Sequence, residues 1–131
     1  MDEENFEKWN KQKQEIYKSG KYIHYKEGEI RWVYMGQNIK SEIVGKGDGF
    51  SRPVLVFKKV YGHSCIAIPL TSQDKIGSYH YTFDGASRKK YCAVFTQIRY
   101  IDGTRIREKI DYVSLNKFKE IESAFIEFIK K

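Results

Sequence analysis

From residue 29 onward the apolar pattern of this chain takes the two-residue period of β-strands, in short runs cut apart by turn signals. EIRWVYM (29–35), RPVLVFKKV (52–60), SCIAIPL (64–70), SYHYTF (78–83) and YCAVFTQIRYI (91–101) are dense in β-branched and aromatic residues, which suit a pleated, half-buried surface. Gly-Gln-Asn at 36–38, GKGDG at 45–49, Tyr61-Gly62-His63, Asp84-Gly85 and Asp102-Gly103 separate them, and such residues build tight connections. Short strands joined this way predict a mainly β fold with helices, an antiparallel sheet rolled into a small barrel.

The two ends read as helices. In residues 2–18, Phe6, Trp9, Ile16 and Tyr17 fall near one helical stripe, with acids first and lysines later, as the helix dipole prefers. This segment packs on the domain by a narrow seam or serves as a partner-binding arm. At the other end Ser114 is placed to cap a helix carrying Leu115, Phe118, Ile121, Phe125, Phe128 and Ile129 at three- and four-residue spacing, the period of one buried face.

One core is expected: 131 residues, 40% of them hydrophobic, suffice without disulfides or metal. Cys65 and Cys92 sit inside apolar runs with no metal-ligand spacing, as buried thiols do. No apolar segment is long enough to cross a bilayer and the N-terminus has no signal-peptide pattern, so a cytoplasmic protein is expected. Lys and Arg outnumber Asp and Glu by 24 to 17, a formal +7, which points to polyanions or an acidic protein as partners.

GKGDG, followed by Arg52-Pro53, is the densest concentration of unusual residues. Its glycines and Lys46 could cradle a phosphate, but the segment lacks P-loop spacing and precedes a strand, so a long hairpin loop is the simpler reading. Pro53 belongs at the start or edge of a strand and anchors Arg52 at its mouth. A guanidinium held there offers a planar fork to a phosphate, or else pairs with a carboxylate on the rim. Thr71, Ser72 and Gln73, at the exit of IPLTSQ, are short polar groups able to orient a phosphate or base; taken singly, Ser72 suits a turn-capping role.

RPVLV, IPLTS and QIR-x-ID-x-x-R, in this order from about Gly28 to Ile129, together resemble the MazF/PemK/Kid family of toxins from type II toxin-antitoxin systems. The resemblance implies an SH3-like (CcdB/Kid-type) barrel over residues 28–131, preceded by a helical extension over 1–27. It also implies a homodimer, an acidic antitoxin partner, and cleavage of single-stranded RNA without metal or other cofactor, leaving a 2′,3′-cyclic phosphate and a 5′-hydroxyl. The family's motif residues fall on Arg52 and Thr71, and its glutamate before the glycine-rich loop on Glu42. Glu42 would be the base, Arg52 would bind the developing charge and relay a proton, and Thr71 would hold a non-bridging oxygen.

Lys46, Phe50, Ser72, Gln73, Gln97 and Arg99 are the implied RNA contacts. Arg105 either joins them or pairs structurally with Asp102. Trp32 and Tyr34 could stack on bases as Phe50 could, although Trp32 in an alternating strand also suits the core. His24, His63 and His80 show no triad or ligand spacing.

The chain departs from the family pattern in three places. The loop between Glu42 and Arg52 is long, with Ile43 in the place of a common Gln, which makes Asp48 a rival base. Thr96 stands where some members carry an acid. The rival function is a non-catalytic barrel binding nucleic acid or a protein target, like the gyrase-poison toxins.

Overall fold

The structure, a computed structural model, describes residues 23–35, 51–72 and 79–131. The helix expected over 2–18, the glycine-rich loop, and Gln73 lie outside the described residues. Among the described residues seven strands form: β1 (Glu29–Tyr34), β2 (Ser51–Val60), β3 (Ser64–Thr71), β4 (His80–Asp84), β5 (Lys90–Val94), β6 (Arg99–Asp102) and β7 (Ile106–Tyr112). One helix, α1 (Leu115–Lys130), follows.

Every pairing is antiparallel, in the order β4-β5-β3-β2-β1-β7, with β6 also on β3. The mainly β architecture with a C-terminal helix is therefore as expected. Among the described residues the hydrogen-bonded ladder does not close into a full barrel. Instead, its two ends meet at a corner: Ala86 N–H, in the β4–β5 turn, donates to the carbonyl of Tyr112 at the end of β7 at 2.7 Å.

Two strand expectations are corrected. The run 91–101 is not one strand but β5, a 3-10 turn over Phe95–Gln97, and β6. β5 pairs with the end of β3 (Leu70, Thr71), whereas β6 pairs with its beginning (Ser64 to Ala67). The turn lets the chain step along the edge of β3 while Phe95 plunges into the core, 1% exposed. β7 is an addition: IREKIDY reads as charged, because Arg107, Glu108 and Lys109 are only partly covered or exposed, and pairing with β1 makes it a strand.

The sheet is apolar on both sides. Ile30, Leu55, Ile68, Leu70, Phe83 and Phe95 build one cluster, closed by Phe118, Phe125 and Phe128 of α1. Val33, Val54, Val56, Cys65, Ala67 and Ile101 build the second. The period-two alternation of strand side chains supplies both clusters from the same strands. The Ser114 hydroxyl accepts from Lys117 N–H at 3.2 Å and caps α1 as expected. The segment before β1 is tied down as well: Tyr25 is buried, and the Arg31 guanidinium holds Glu29 and the carbonyl of His24. Among the described residues no helix is long and apolar enough to cross a membrane.

Candidate active site

β2 begins at Ser51 and β3 ends at Thr71, and both ends share one rim of the sheet. The strand register pairs Val33 with Arg52 and Val54 with Pro69. Continued two residues along β2 and β3, it sets Arg52 opposite Thr71, and Thr71 pairs in turn with Cys92 of β5. Directly opposed residues share a face, so Arg52 and Thr71 belong to one cross-strand row. The neighbouring row holds Trp32, Pro53, Leu70 and Ala93.

Residues of both rows line a cavity of about 160 Å³: Trp32, Ser51, Arg52, Pro53, Leu70, Thr71, Ser72, Lys89 and Tyr91. Because adjacent rows face opposite sides of a sheet, the cavity sits at the rim. Trp32, Arg52, Thr71 and Ser72, all singled out from the sequence, therefore come together here.

Arg52 is 8% exposed, and its buried Nε has no hydrogen-bond partner among the described residues. Burial pulls its pKa below the ordinary arginine value. A guanidinium keeps its charge at neutral pH, and a poorly hydrated cation binds an incoming anion more strongly than a solvated one. Pro53, which lacks an N–H, fills a strand position next to it.

Lys89 and Tyr91 were not singled out from the sequence. Their signal was the basic run Arg88-Lys89-Lys90 running into the apolar start of β5. The Lys89 ammonium lies 5.6 Å from the centroid of the Tyr91 ring. Tyr91 is itself locked: its hydroxyl donates to Asp111 Oδ2 at 2.9 Å, and its ring stacks on Phe83 at 5.8 Å. Burial raises the Tyr91 pKa, with Asp111 adding to the effect, to about 12. Asp111 also accepts from the Ser87 N–H and hydroxyl and from Tyr112 N–H. Burial alone would raise the Asp111 carboxyl, but these bonds outweigh it and hold the group below its usual range.

The remaining sequence-predicted residues separate. Arg99 and Arg105 line a second cavity of about 290 Å³ with Tyr34, Met35, Tyr100, Ile101 and Asp102. Asp102 serves the chain there, accepting from Thr104 N–H at 3.0 Å at the start of a 3-10 turn. Gln97 sits in the turn after β5 and lines neither cavity. Trp32, assigned both to stacking and to core, is partly exposed in the first cavity. Glu42, Lys46, Asp48 and Phe50 lie, like Gln73, outside the described residues.

His24 and His63 are exposed, and His80 is on β4. Cys65 and Cys92 are both buried, and burial pushes the Cys65 thiol up to about 12. Among the described residues no group of three His, Cys, Asp or Glu is arranged to hold a metal ion.

Comparison with known proteins agrees with the fold. The chain is similar to the Mycobacterium tuberculosis toxin MazF-mt6, with TM-score 0.53 and 13% identity over 66% of this chain and 93% of that one. It is also similar to an endoribonuclease solved in complex with its cognate antitoxin from a mycobacterial species, with TM-score 0.62 and 11% identity over 82% and 96% of the two chains. No curated protein matches the sequence significantly. The family described as PemK-like, MazF-like toxin of type II toxin-antitoxin system matches residues 26–129, and the chain belongs to it.

Proposed function

We infer that the chain is a toxin endoribonuclease that cuts single-stranded RNA by attack of a ribose 2′-hydroxyl on the adjacent phosphorus. The observation that carries this is Arg52: a buried cation whose Nε has no partner among the described residues, on the same cross-strand row as Thr71, beside an open cavity. A fixed, poorly solvated guanidinium is costly for a fold to keep, and binding a phosphate would complete it.

In the reaction the O2′–P bond forms and the P–O5′ bond breaks, giving a 2′,3′-cyclic phosphate and a 5′-hydroxyl. Glu42, or Asp48 in its place, takes the 2′-hydroxyl proton. The departing O5′ receives a proton relayed through Arg52. Arg52 and Thr71 stabilise the charge growing on the non-bridging oxygens, the largest contribution such a site makes. No step requires a metal. An acidic antitoxin segment competes for the same basic rim, and two copies of the chain form the working unit.

The test is incubation of the full chain with long single-stranded RNA in EDTA, followed by end-group analysis. Cyclic-phosphate and 5′-hydroxyl ends that appear with the chelator present, and vanish in Arg52→Ala, support the reading. RNA bound but left intact would overturn it in favour of a non-catalytic barrel. In either case log affinity falls with log salt by about 0.7 per phosphate neutralised.

A further inference from the structure

The cavity beside Arg52 contains more than a phosphate needs. An anion site converges N–H donors and cations on a point. Here Trp32, Pro53 and Leu70 instead supply an apolar wall, with the Trp32 ring partly exposed. The next cross-strand row, reached by extending the Thr71–Cys92 pairing one residue, brings Ser72 opposite Tyr91. Ser51 and Ser72 add two short hydroxyls, each able to donate and to accept.

Tyr91 is 4% exposed and held from two sides, by Asp111 at its hydroxyl and by Phe83 at its ring. It is a rigid wall, placed before any ligand arrives. A partly exposed indole, apolar walls and a hydroxyl edge are together the chemistry that receives an unstacked nucleobase: stacking supplies affinity, and hydrogen bonds to the edge supply choice.

We propose that this cavity takes one base of the RNA, that of a nucleotide flanking the phosphate at Arg52, and so decides which base stands next to the cut. The proposal rests on the endoribonuclease reading of the same site. Ser72 and Ser51 read the edge of the base, Trp32 stacks on it, and Lys89 meets the neighbouring backbone charge. Asp111 acts at a distance, as a positioning residue for Tyr91.

Two measurements separate this proposal from the reaction itself. Trp9 and Trp32 are the two tryptophans, so the full chain carrying Trp9→Phe reports on Trp32 by fluorescence. Single-stranded deoxyribo-oligomers lack the attacking hydroxyl, and they isolate binding from cleavage. A short oligomer with bases quenches Trp32 emission. One with abasic sites throughout leaves the emission unchanged and binds about 10- to 100-fold more weakly.

In parallel, RNA cut ends are sequenced for the unaltered chain, Ser72→Ala and Tyr91→Phe. Tyr91→Phe keeps the ring and removes the hydroxyl that Asp111 holds. Base preference at one position flanking the cut flattens in both variants while preference elsewhere persists; a merely structural role would lower the melting temperature and cutting at all sites alike. Equal quenching and affinity for the abasic oligomer, or an unchanged base distribution in both variants, overturns the proposal. If the unaltered chain cuts no RNA, the nuclease reading falls, and the quenching comparison still decides the base pocket.

Discussion

Arg52 combines two properties that work against each other, a permanent charge and a position 8% exposed whose Nε has no partner among the described residues. Burying a polar group without a partner costs stability, and burying a charge costs more. Replacing Arg52 by leucine should therefore leave the melting temperature unchanged or raise it, while lowering RNA cleavage by about 100- to 1000-fold. Thermal denaturation and a cleavage assay on one preparation check both halves; a large fall in melting temperature would make Arg52 a structural residue instead.

Gly85 shows the opposite constraint. A Cβ there would collide with the Asp111 carboxylate and approach the Tyr91 ring to 2.9 Å. The carboxylate is pinned by Ser87, Tyr91 and Tyr112 and cannot move aside without breaking bonds. Gly85→Ala should destabilise by about 1–3 kcal/mol, measured by chemical denaturation. Cys65 is sealed in the second core cluster with its thiol pushed up to about 12. It should resist alkylation in the native protein and react only after unfolding.

At the scale of elements, α1 was legible because its sequence is locally sufficient: a Ser114 cap and a three- and four-residue apolar repeat. Its packing rests on aromatic rings, with Phe95 meeting Phe125 at 5.4 Å and Phe128 at 5.7 Å. Phe95→Ala should cost about 3–5 kcal/mol and loosen the helix from the sheet, seen as a lower denaturation midpoint and faster amide exchange in α1. The break between β5 and β6 was not legible. YCAVFTQIRYI carries a continuous strand-like pattern, and only the demand that both halves pair with β3 forces the turn at Phe95–Gln97. β7 was missed for the converse reason: Arg107, Glu108 and Lys109 mask a strand that exists because β1 offers it a partner.

For the molecule as a whole, the ends of the sheet are held together by a carboxylate. Asp111 joins the β4–β5 turn to β7, and Glu29 ties Arg31 and Lys26 before β1. In both, burial pushes the carboxyl up. The bonds to Asp111 from Ser87, Tyr112 and Tyr91, and to Glu29 from Lys26 and Arg31, more than offset it, so each folded pKa is depressed. A depressed carboxylate favours the folded state above its unfolded value, near 4, and that contribution fades as pH falls through the folded pKa. Stability should hold from neutrality down to about pH 4 and decline below it, more gently in Asp111→Asn. Urea denaturation across pH reads this; an unchanged slope in the variant would remove Asp111 as the source.

The sequence by itself determined what depends on neighbours along the chain: strand period, turn residues, the capped amphipathic helix, and the Arg52-Pro53 and Thr71 motifs with the family they indicate. Tertiary structure alone decided which strands pair, that the ladder stops short of closure, and that Lys89 and Tyr91 reach the rim beside Arg52. The physical reason is reach. Local propensity acts over one turn or a few residues, whereas Asp111 fixes Tyr91 across 20 positions of sequence, through a contact that exists only once the sheet has curled.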